Sequence, residues 1–205
     1  MCDGGESMTY HVGISDDRFI RGNIPMTKAE IRILVLARAK INPGDTVIDI
    51  GAGTGSLSVE AALQSGSGEV YAIEREPEGI ELIKQNAARF AAVVRPIAGA
   101  APEALQGLPQ ADVILIGGSG GKLEAILTEA RQLLKPGGRL VVTAVTVETL
   151  QRALAFLDSC PEFSVETICA QVTRLRKVAS SHMMQALNPI YIIAAEANVK
   201  SAGSV

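Results

Sequence analysis

The stretch "VIDIGAGTGS", residues 47–56, decides the fold of this chain. An apolar run leads into glycines at positions 51, 53 and 55, and a segment of helical character follows. A strand, a glycine-rich turn and a helix in this order are typical of the first βα unit of a ligand-binding α/β sheet. The dinucleotide fingerprint G-x-G-x-x-G would need a glycine at position 56, where this chain has Ser56. The loop alone therefore does not identify the ligand.

Short β-branched runs alternate with helical segments on both sides of this stretch. The runs cover residues 46–50, 69–74, 93–99, 111–116, 139–145, 164–172 and 190–196. We expect the first five to be parallel strands buried on both faces, because they are short and apolar throughout. The last two have no helical pattern between them and should pair antiparallel at the sheet edge. The pattern predicts an α/β Rossmann-like fold with a seven-stranded, mostly parallel sheet and an antiparallel last strand.

Helical periodicity marks the segments between the strands, and a further helix precedes the sheet. Apolar stripes are formed by Ile80, Ile83, Ala87 and Phe90, and by Val147, Leu150, Leu154 and Leu157. The tetrapeptide 27–30, Thr-Lys-Ala-Glu, fits a capping box, which predicts Thr27 as the N-cap of the first helix. Residues 1–26 are mixed and glycine-rich, so we expect an N-terminal arm or lid before a single domain over 27–205.

Composition excludes several classes of function. The net charge is −3 and no dense Lys/Arg block occurs, which argues against a nucleic-acid partner. No apolar run approaches the roughly 20 residues that span a bilayer, and the N-terminus does not resemble a signal peptide. Cys2, Cys160 and Cys169 are far apart and lack metal-ligand spacing. We therefore expect a cytoplasmic protein with reduced thiols, no bound metal and no membrane partner.

Two acidic residues narrow the choice of cofactor. Asp49 lies within the strand before the glycines, where a carboxylate repels a pyrophosphate but suits a ligand with an ammonium group. Glu74 ends the next strand, where an acid can accept both hydroxyls of a ribose. A ligand with an ammonium group and a ribose but no phosphate matches S-adenosylmethionine. The motif "LLKPGG" at 133–138 is a further mark of a methyltransferase. The alternatives are a nicotinamide oxidoreductase, and a tight turn in which Asp49 merely caps the strand.

Longer motifs carry a resemblance to a known family. These are "GISDDRFIRGNIPMTKAEIR" (13–32), "GAAPEAL" (99–105), "IGGSGGKLEAIL" (116–127) and "SHMMQALNPIYII" (181–193). They resemble the cobalt-precorrin-6B C15-methyltransferase (decarboxylating) family of cobalamin biosynthesis, also described as the precorrin-8w decarboxylase type. The resemblance covers nearly the whole chain past residue 12 and implies one methyltransferase domain. It also implies methylation of C15 of the tetrapyrrole and removal of CO2 from the acetate on C12.

The same resemblance implies where the cofactor S-adenosylmethionine binds. Beside Asp49, it indicates cofactor-binding residues at Thr27, Gly51, Ala52, Gly53, Thr54, Gly55, Glu74 and Ala101. Position 100 is Ala100 where relatives commonly have an aspartate, so the backbone of residues 100 and 101 would serve the adenine instead.

For the substrate, the basic connection 173–189 supplies Arg174, Arg176 and His182, which are candidates to bind the many carboxylates of a precorrin. His182 is also a candidate proton donor. The alternatives are a solvated basic loop and a plain hydrogen-bonded histidine. Gly118 and Ser119 follow the fourth strand, where small side chains would let a flat substrate lie against the backbone. The alternative role for this loop is a flexible linker into the next helix.

We nominate no catalytic residue. The reduced macrocycle is the nucleophile and can absorb the electrons that CO2 leaves behind, and no Ser-His-Asp or Cys-His arrangement is visible. The resemblance implies a homo-oligomer, a tetramer, with a separate C5-methyltransferase as a possible partner. An RNA or protein methyltransferase on the same fold is the alternative function.

Overall fold

The computed structural model describes residues 12–198, and a seven-stranded sheet forms its centre. The strands of this sheet are β1 (Val47–Ile50), β2 (Val70–Glu74), β3 (Arg95–Ala98), β4 (Ala111–Ile116), β5 (Leu134–Ala144), β6 (Phe163–Ala170) and β9 (Ile190–Ala197). Their spatial order is β3-β2-β1-β4-β5-β9-β6. The pairs from β3 to β5 are parallel, whereas β9 runs antiparallel to both β5 and β6. The predicted fold class is confirmed.

Five helices cover the two faces of the sheet: α1 (Ala29–Ala39), α2 (Ser56–Ser65), α3 (Pro77–Arg89), α4 (Leu123–Leu133) and α5 (Val147–Asp158). Alternate residues of each central strand point to opposite faces, so the buried strands supply two separate cores. Ile48, Ile114 and Val142 pack with α4 and α5 on one face, whereas Val47 and Val141 pack with α1 and α2 on the other.

Three sequence predictions about these elements are wrong in detail. β3 is an edge strand, and its residues are exposed or half-buried rather than buried on both faces. β5 begins at Leu134 rather than at residue 139, and it includes "KPGG", which forms an irregularity in the pairing with β4. Val147 occupies the first turn of α5 and is 74% exposed, so it does not join the apolar stripe of that helix.

The N-terminal end of α1 is capped by a residue distant in sequence. Lys28 is the N-cap, and no side chain of the predicted capping box bonds to the helix. The amide of Ala29 instead donates to Asp16 Oδ1 over 2.9 Å. The capping-box prediction for Thr27 is therefore wrong, because a tertiary contact satisfies the helix end that a local side chain was expected to satisfy.

The described part of the N-terminal arm packs against the domain. Phe19 and Met26 are buried beside Val59 of α2 and Ala87 of α3. The amide of Asn86 donates to the Ile20 carbonyl, and its oxygen accepts from the Ile20 amide. Residues 1–11 lie outside the described residues, and the division of the chain at residue 26 stays a prediction.

The connection 173–189 contains a β-hairpin rather than an irregular loop. Its strands β7 (Thr173–Val178) and β8 (Ser181–Ala186) pair antiparallel and form a separate two-stranded sheet. Met183 and Met184 of β8 are 58% and 81% exposed. A two-stranded ribbon that extends from the domain has no second layer to cover these side chains.

Candidate functional site

A cavity of about 510 Å³ opens at the carboxyl ends of the parallel strands. Its walls come from the ends of β1, β2, β4 and β5, from the start of β9 and from residues 24–28 of the arm. Of the predicted cofactor residues, it is lined by Thr27, Gly51, Ala52, Gly53, Glu74 and Ala101. Ligands of open α/β sheets bind at this edge, beside the change in strand order. Here β1 lies between β2 and β4, and the cavity spans that change.

The glycine loop lies in direct contact with the loop after β4. Gly51 has φ +74°, and a Cβ atom there would lie 2.7 Å from both the N and the O atom of Gly118. A Cβ atom at Gly55, also at φ +74°, would meet Ile83 of α3 at 2.9 Å. Protein neighbours therefore require glycine at both positions, and the close approach of a ligand is not the only reason for the pattern. The sequence did not show that the two glycine-rich loops contact each other.

Glu74 is held in a fixed position beside this loop. Its side chain is buried, and its Oε2 accepts from the Gly53 amide over 2.8 Å. Its Oε1 accepts from the amides of Arg75 and Glu76, each over 2.9 Å. The glutamate stem lies against Gly79, where an added Cβ atom would be 2.6 Å from its Cγ. The carboxylate is thus oriented before any ligand binds, and Oε2 still has a lone pair to accept a further hydrogen bond.

Asp49 lies beneath the loop and does not line the cavity. It is buried and accepts a hydrogen bond from the Ser58 hydroxyl of α2. The pKa of Asp49 is raised to about 6: burial raises it most, the Ser58 hydrogen bond lowers it, and the charge of Glu74 raises it. The site therefore contains two nearby acids, and burial disfavours the charged form of Asp49. This arrangement suits a ligand with positive charge.

Two other predicted cofactor residues, Thr54 and Gly55, are also absent from the cavity wall. Thr54 is buried, and its Oγ1 has no hydrogen-bond partner among residues 12–198. Gly55 is the N-cap of α2. Their contacts with a cofactor, like those of Asp49, stay predictions.

A buried ion network fixes the arm side of the cavity. Arg32 of α1 is fully buried and donates from Nε to Glu60 Oε1 over 2.7 Å and from Nη1 to Asp16 Oδ1 over 2.9 Å. It also donates to the carbonyl oxygens of Ile14 and Thr27. Burial raises the pKa of Asp16, but hydrogen bonds from arginines outweigh that effect and hold the pKa below its usual range. The network positions Thr27 at the cavity.

The predicted substrate residues divide into two groups. Gly118 and Ser119 line the cavity, whereas Arg174, Arg176 and His182 do not. Arg174 donates to both carboxylate oxygens of Glu30, over 2.8 and 2.6 Å, and to Asp16 Oδ2 over 3.1 Å. The hydrogen bonds that Arg174 donates to Glu30 raise the pKa of Arg174, so its charge is permanent.

Arg174 thus joins the hairpin to α1 and to the arm. Arg176 and His182 lie on the exposed part of the hairpin, where the backbone pairs them with Met183 and Lys177. A substrate contact by any of these three residues stays a prediction.

Several residues of the cavity wall were missed by the sequence interpretation. They are the cations Lys28, Arg75 and Lys122 and the apolar residues Val145 and Ile190. Val145 follows β5, and the rule that ligands bind at the carboxyl ends of strands was a sufficient signal for it. No comparable signal marked Lys28, because its place at the cavity depends on how the arm packs.

The described residues hold no group of three or more His, Cys, Asp or Glu side chains placed to bind a metal ion. Within residues 12–198, no helix is long and apolar enough to cross a membrane.

Comparison with known proteins identifies relatives with matching length and fold. A family model described as "Precorrin methyltransferase domain" matches residues 18–196. The chain is 40% identical over 185 residues to the cobalt-precorrin-6B C(15)-methyltransferase (decarboxylating) of Salmonella typhimurium, covering 89% of this chain and 95% of that protein.

Two solved structures are similar to this one. A precorrin-6y C5,15-methyltransferase from Geobacter metallireducens has a TM-score of 0.86 at 37% identity and covers 91% of this chain and 100% of its own. The precorrin 8w decarboxylase of Methanobacterium thermoautotrophicum has a TM-score of 0.84 at 37% identity, and the match covers 88% of this chain and 98% of that chain. The family resemblance seen in the sequence is confirmed.

Proposed function

The chain belongs to the precorrin methyltransferase family, and on that premise we propose that it methylates C15 of cobalt-precorrin-6B and removes CO2 from the C12 acetate, in cobalamin biosynthesis. The observation that carries the proposal is the 40% identity to a relative of that name over nearly the full length of both chains. The cavity beside Glu74 supports it, because it lies where this fold binds its cofactor.

We propose that S-adenosylmethionine is the cofactor and that its ribose hydroxyls donate to Glu74. The carboxylate of Glu74 is already oriented by three backbone amides. Asp49 lies two residues before Gly51 and adds negative charge beneath the loop. Thr27, Ala52 and Ala101 line the same cavity and complete the proposed contacts. When bound, the cofactor supplies an electrophilic methyl group on a sulfonium.

The contribution of the chain to the reaction is to bind and orient both reactants. An in-line approach of C15 to the methyl group needs the two molecules held together, and positioning of this kind supplies much of a rate enhancement. The loops that touch at Gly51 and Gly118 give the cavity a stretch of wall made of backbone. The loop Gly117–Gly120 leaves room for a broad substrate beside the cofactor. The macrocycle provides the nucleophilic carbon and accepts the electrons that remain after CO2 leaves.

We also propose a homotetramer located in the cytoplasm, with C5 methylation supplied by a separate enzyme. The hairpin β7–β8 supports self-association, because Leu175, Val178, Met183 and Met184 are all exposed apolar side chains. Cys160 and Cys169 are free thiols, which agrees with a reducing compartment.

Mass spectrometry of an incubation with cobalt-precorrin-6B and S-adenosylmethionine tests the proposed activity. We expect the product to gain a methyl group and to lose CO2, scored separately. Methyl gain without CO2 loss would contradict the decarboxylation. If the protein binds S-adenosylhomocysteine but the product shows neither change, the proposed substrate is contradicted. That result would favour the alternative function, an RNA or protein methyltransferase.

A further inference from the structure

We propose that the cavity binds its tetrapyrrole substrate at the end formed by Lys28, Val145, Ile190 and the loop 117–120, with the Lys28 ammonium paired to a carboxylate of the macrocycle. This region is called the lysine end below. The inference rests on the proposed function and identifies the part of the cavity that recognises the substrate.

Val145 and Ile190 lie across the sheet from the proposed ribose contact, and Lys28 directly precedes α1, which packs against β5 and β9. Glu74 ends β2, whereas Val145 follows β5 and Ile190 begins β9. In the sheet order β2-β1-β4-β5-β9, three strands separate β2 from β9. Because β9 is antiparallel, its first residue lies at the edge where the parallel strands end, and Tyr191 pairs with Ala144 there. A cofactor with its ribose on Glu74 therefore leaves the lysine end for the second reactant.

Lys28 is a cation without a counter-ion in the described structure. It lines the cavity, and no residue in 12–198 forms a salt bridge or a side-chain hydrogen bond with its ammonium group. The two other cations of the cavity wall are paired, Arg75 with Glu76 at 3.0 Å and Lys122 with Glu103 at 2.7 Å. A half-buried, unpaired ammonium favours an anionic ligand, because an anion replaces the solvation that the cavity removes.

The backbone around Lys28 is held before a ligand binds. The carbonyl of Thr27 accepts from Arg32, and the amide of Ala29 donates to Asp16. Both neighbours of Lys28 are thus tied to the buried ion network, which lowers the entropy lost when its side chain engages a ligand. Arg174, the cation that the sequence favoured, contributes to this network through Asp16 instead of lining the cavity.

Apolar side chains also line this end of the cavity. Val145 is 70% exposed and lines the cavity, Val147 nearby is 74% exposed, and Ile190 is half-buried. Exposed aliphatic side chains beside one ammonium group match a flat macrocycle that carries carboxylates on its periphery. A nucleic acid would need several cations that follow its phosphates, and the cavity wall offers one unpaired cation.

The first experiment replaces Lys28 by methionine, which keeps the length of the side chain and removes its charge. Lys84→Met is the matched control, because Lys84 is exposed on α3 and lies outside the cavity wall. We expect Lys28→Met to raise KM for cobalt-precorrin-6B about tenfold or more, the usual effect of losing a charge-assisted contact. We expect the Kd for S-adenosylhomocysteine to stay within about twofold of the wild type. Lys28→Arg should restore most of the lost affinity, and Lys84→Met should match the wild type.

A second pair of variants tests the apolar surface. Val145→Asp places a negative charge against the proposed position of an anionic substrate, whereas Val93→Asp places one at an exposed site before β3. We expect only Val145→Asp to raise KM, and neither variant to alter S-adenosylhomocysteine binding.

Three results would overturn the inference. An unchanged KM in both Lys28→Met and Val145→Asp would remove the lysine end from substrate binding. Equal weakening of substrate and S-adenosylhomocysteine by Lys28→Met would assign Lys28 to the carboxylate of the cofactor. A wild-type enzyme that binds S-adenosylhomocysteine but leaves cobalt-precorrin-6B unchanged would refute the proposed function first, and this inference with it.

Discussion

Replacement of the buried Asp49 by asparagine should increase stability and weaken cofactor binding at the same time. Asp49 is buried and has a pKa of about 6 rather than 3.8. The folded protein therefore holds a proton at pH values where the unfolded chain has released it, and folding becomes less favourable as pH rises from about 4 to about 6. Above that window the charged carboxylate is present in the folded protein and destabilises it.

The size of this effect follows from the two pKa values. The difference between about 6 and 3.8, at about 1.4 kcal/mol per pH unit, sets an upper limit of about 3 kcal/mol. Asparagine keeps an oxygen to accept from the Ser58 hydroxyl, but that hydrogen bond is weaker than one to a carboxylate. We therefore expect Asp49→Asn to raise the free energy of unfolding by about 1–3 kcal/mol at pH 7.5 and to change it little at pH 4.

Urea unfolding of both proteins at a series of pH values measures this difference. Asp158→Asn, at an exposed position at the end of α5, is the control and should follow the wild type throughout. Calorimetry supplies the second half of the test: affinity for S-adenosylmethionine should fall more than affinity for S-adenosylhomocysteine, which lacks the sulfonium charge. Curves that stay parallel from pH 4 to 8 would refute the raised pKa. Unchanged affinity for both ligands would limit Asp49 to a structural role.

Three further substitutions test other parts of the site. Glu74→Ala removes the acceptor for three backbone amides, one of them in the glycine loop. Calorimetry should show S-adenosylmethionine binding weakened about ten- to a hundredfold. Unchanged affinity would show that Glu74 does not contact the cofactor. Thr27→Val should change the free energy of unfolding by less than about 0.5 kcal/mol, because Thr27 does not cap α1, yet should weaken cofactor binding; a large loss of stability with normal binding would reverse this assignment. Arg32→Met should lower the free energy of unfolding, measured in urea, by about 3–5 kcal/mol, because it leaves the buried carboxylate of Glu60 without its partner charge. Adding Glu60→Gln to Arg32→Met should recover part of that loss. No recovery in the double variant would argue against coupling between the two residues.

The fold class and the family could both be predicted from the sequence. Alternation of short apolar runs with helical periodicity is a local property, and it predicts a parallel sheet because crossover helices leave few other arrangements. The glycine loop, with Glu74 at the next strand end, located the main candidate site, and Glu74 does line the cavity there. Long motifs of specific residues carried the family resemblance, which needed no geometry.

Which side chains face the cavity, and which stabilise the walls around it, depends on how the elements pack. Lys28 and Arg174 are both basic residues near the same strand ends, yet one lines the cavity and the other pairs with Glu30 and Asp16. The cap of α1 comes from Asp16, thirteen residues before the amide it accepts from. Gly51 is required by Gly118, which follows a different strand. Each of these facts is a contact between residues that are distant along the chain, and local periodicity and spacing carry no information about such pairs until the elements are packed.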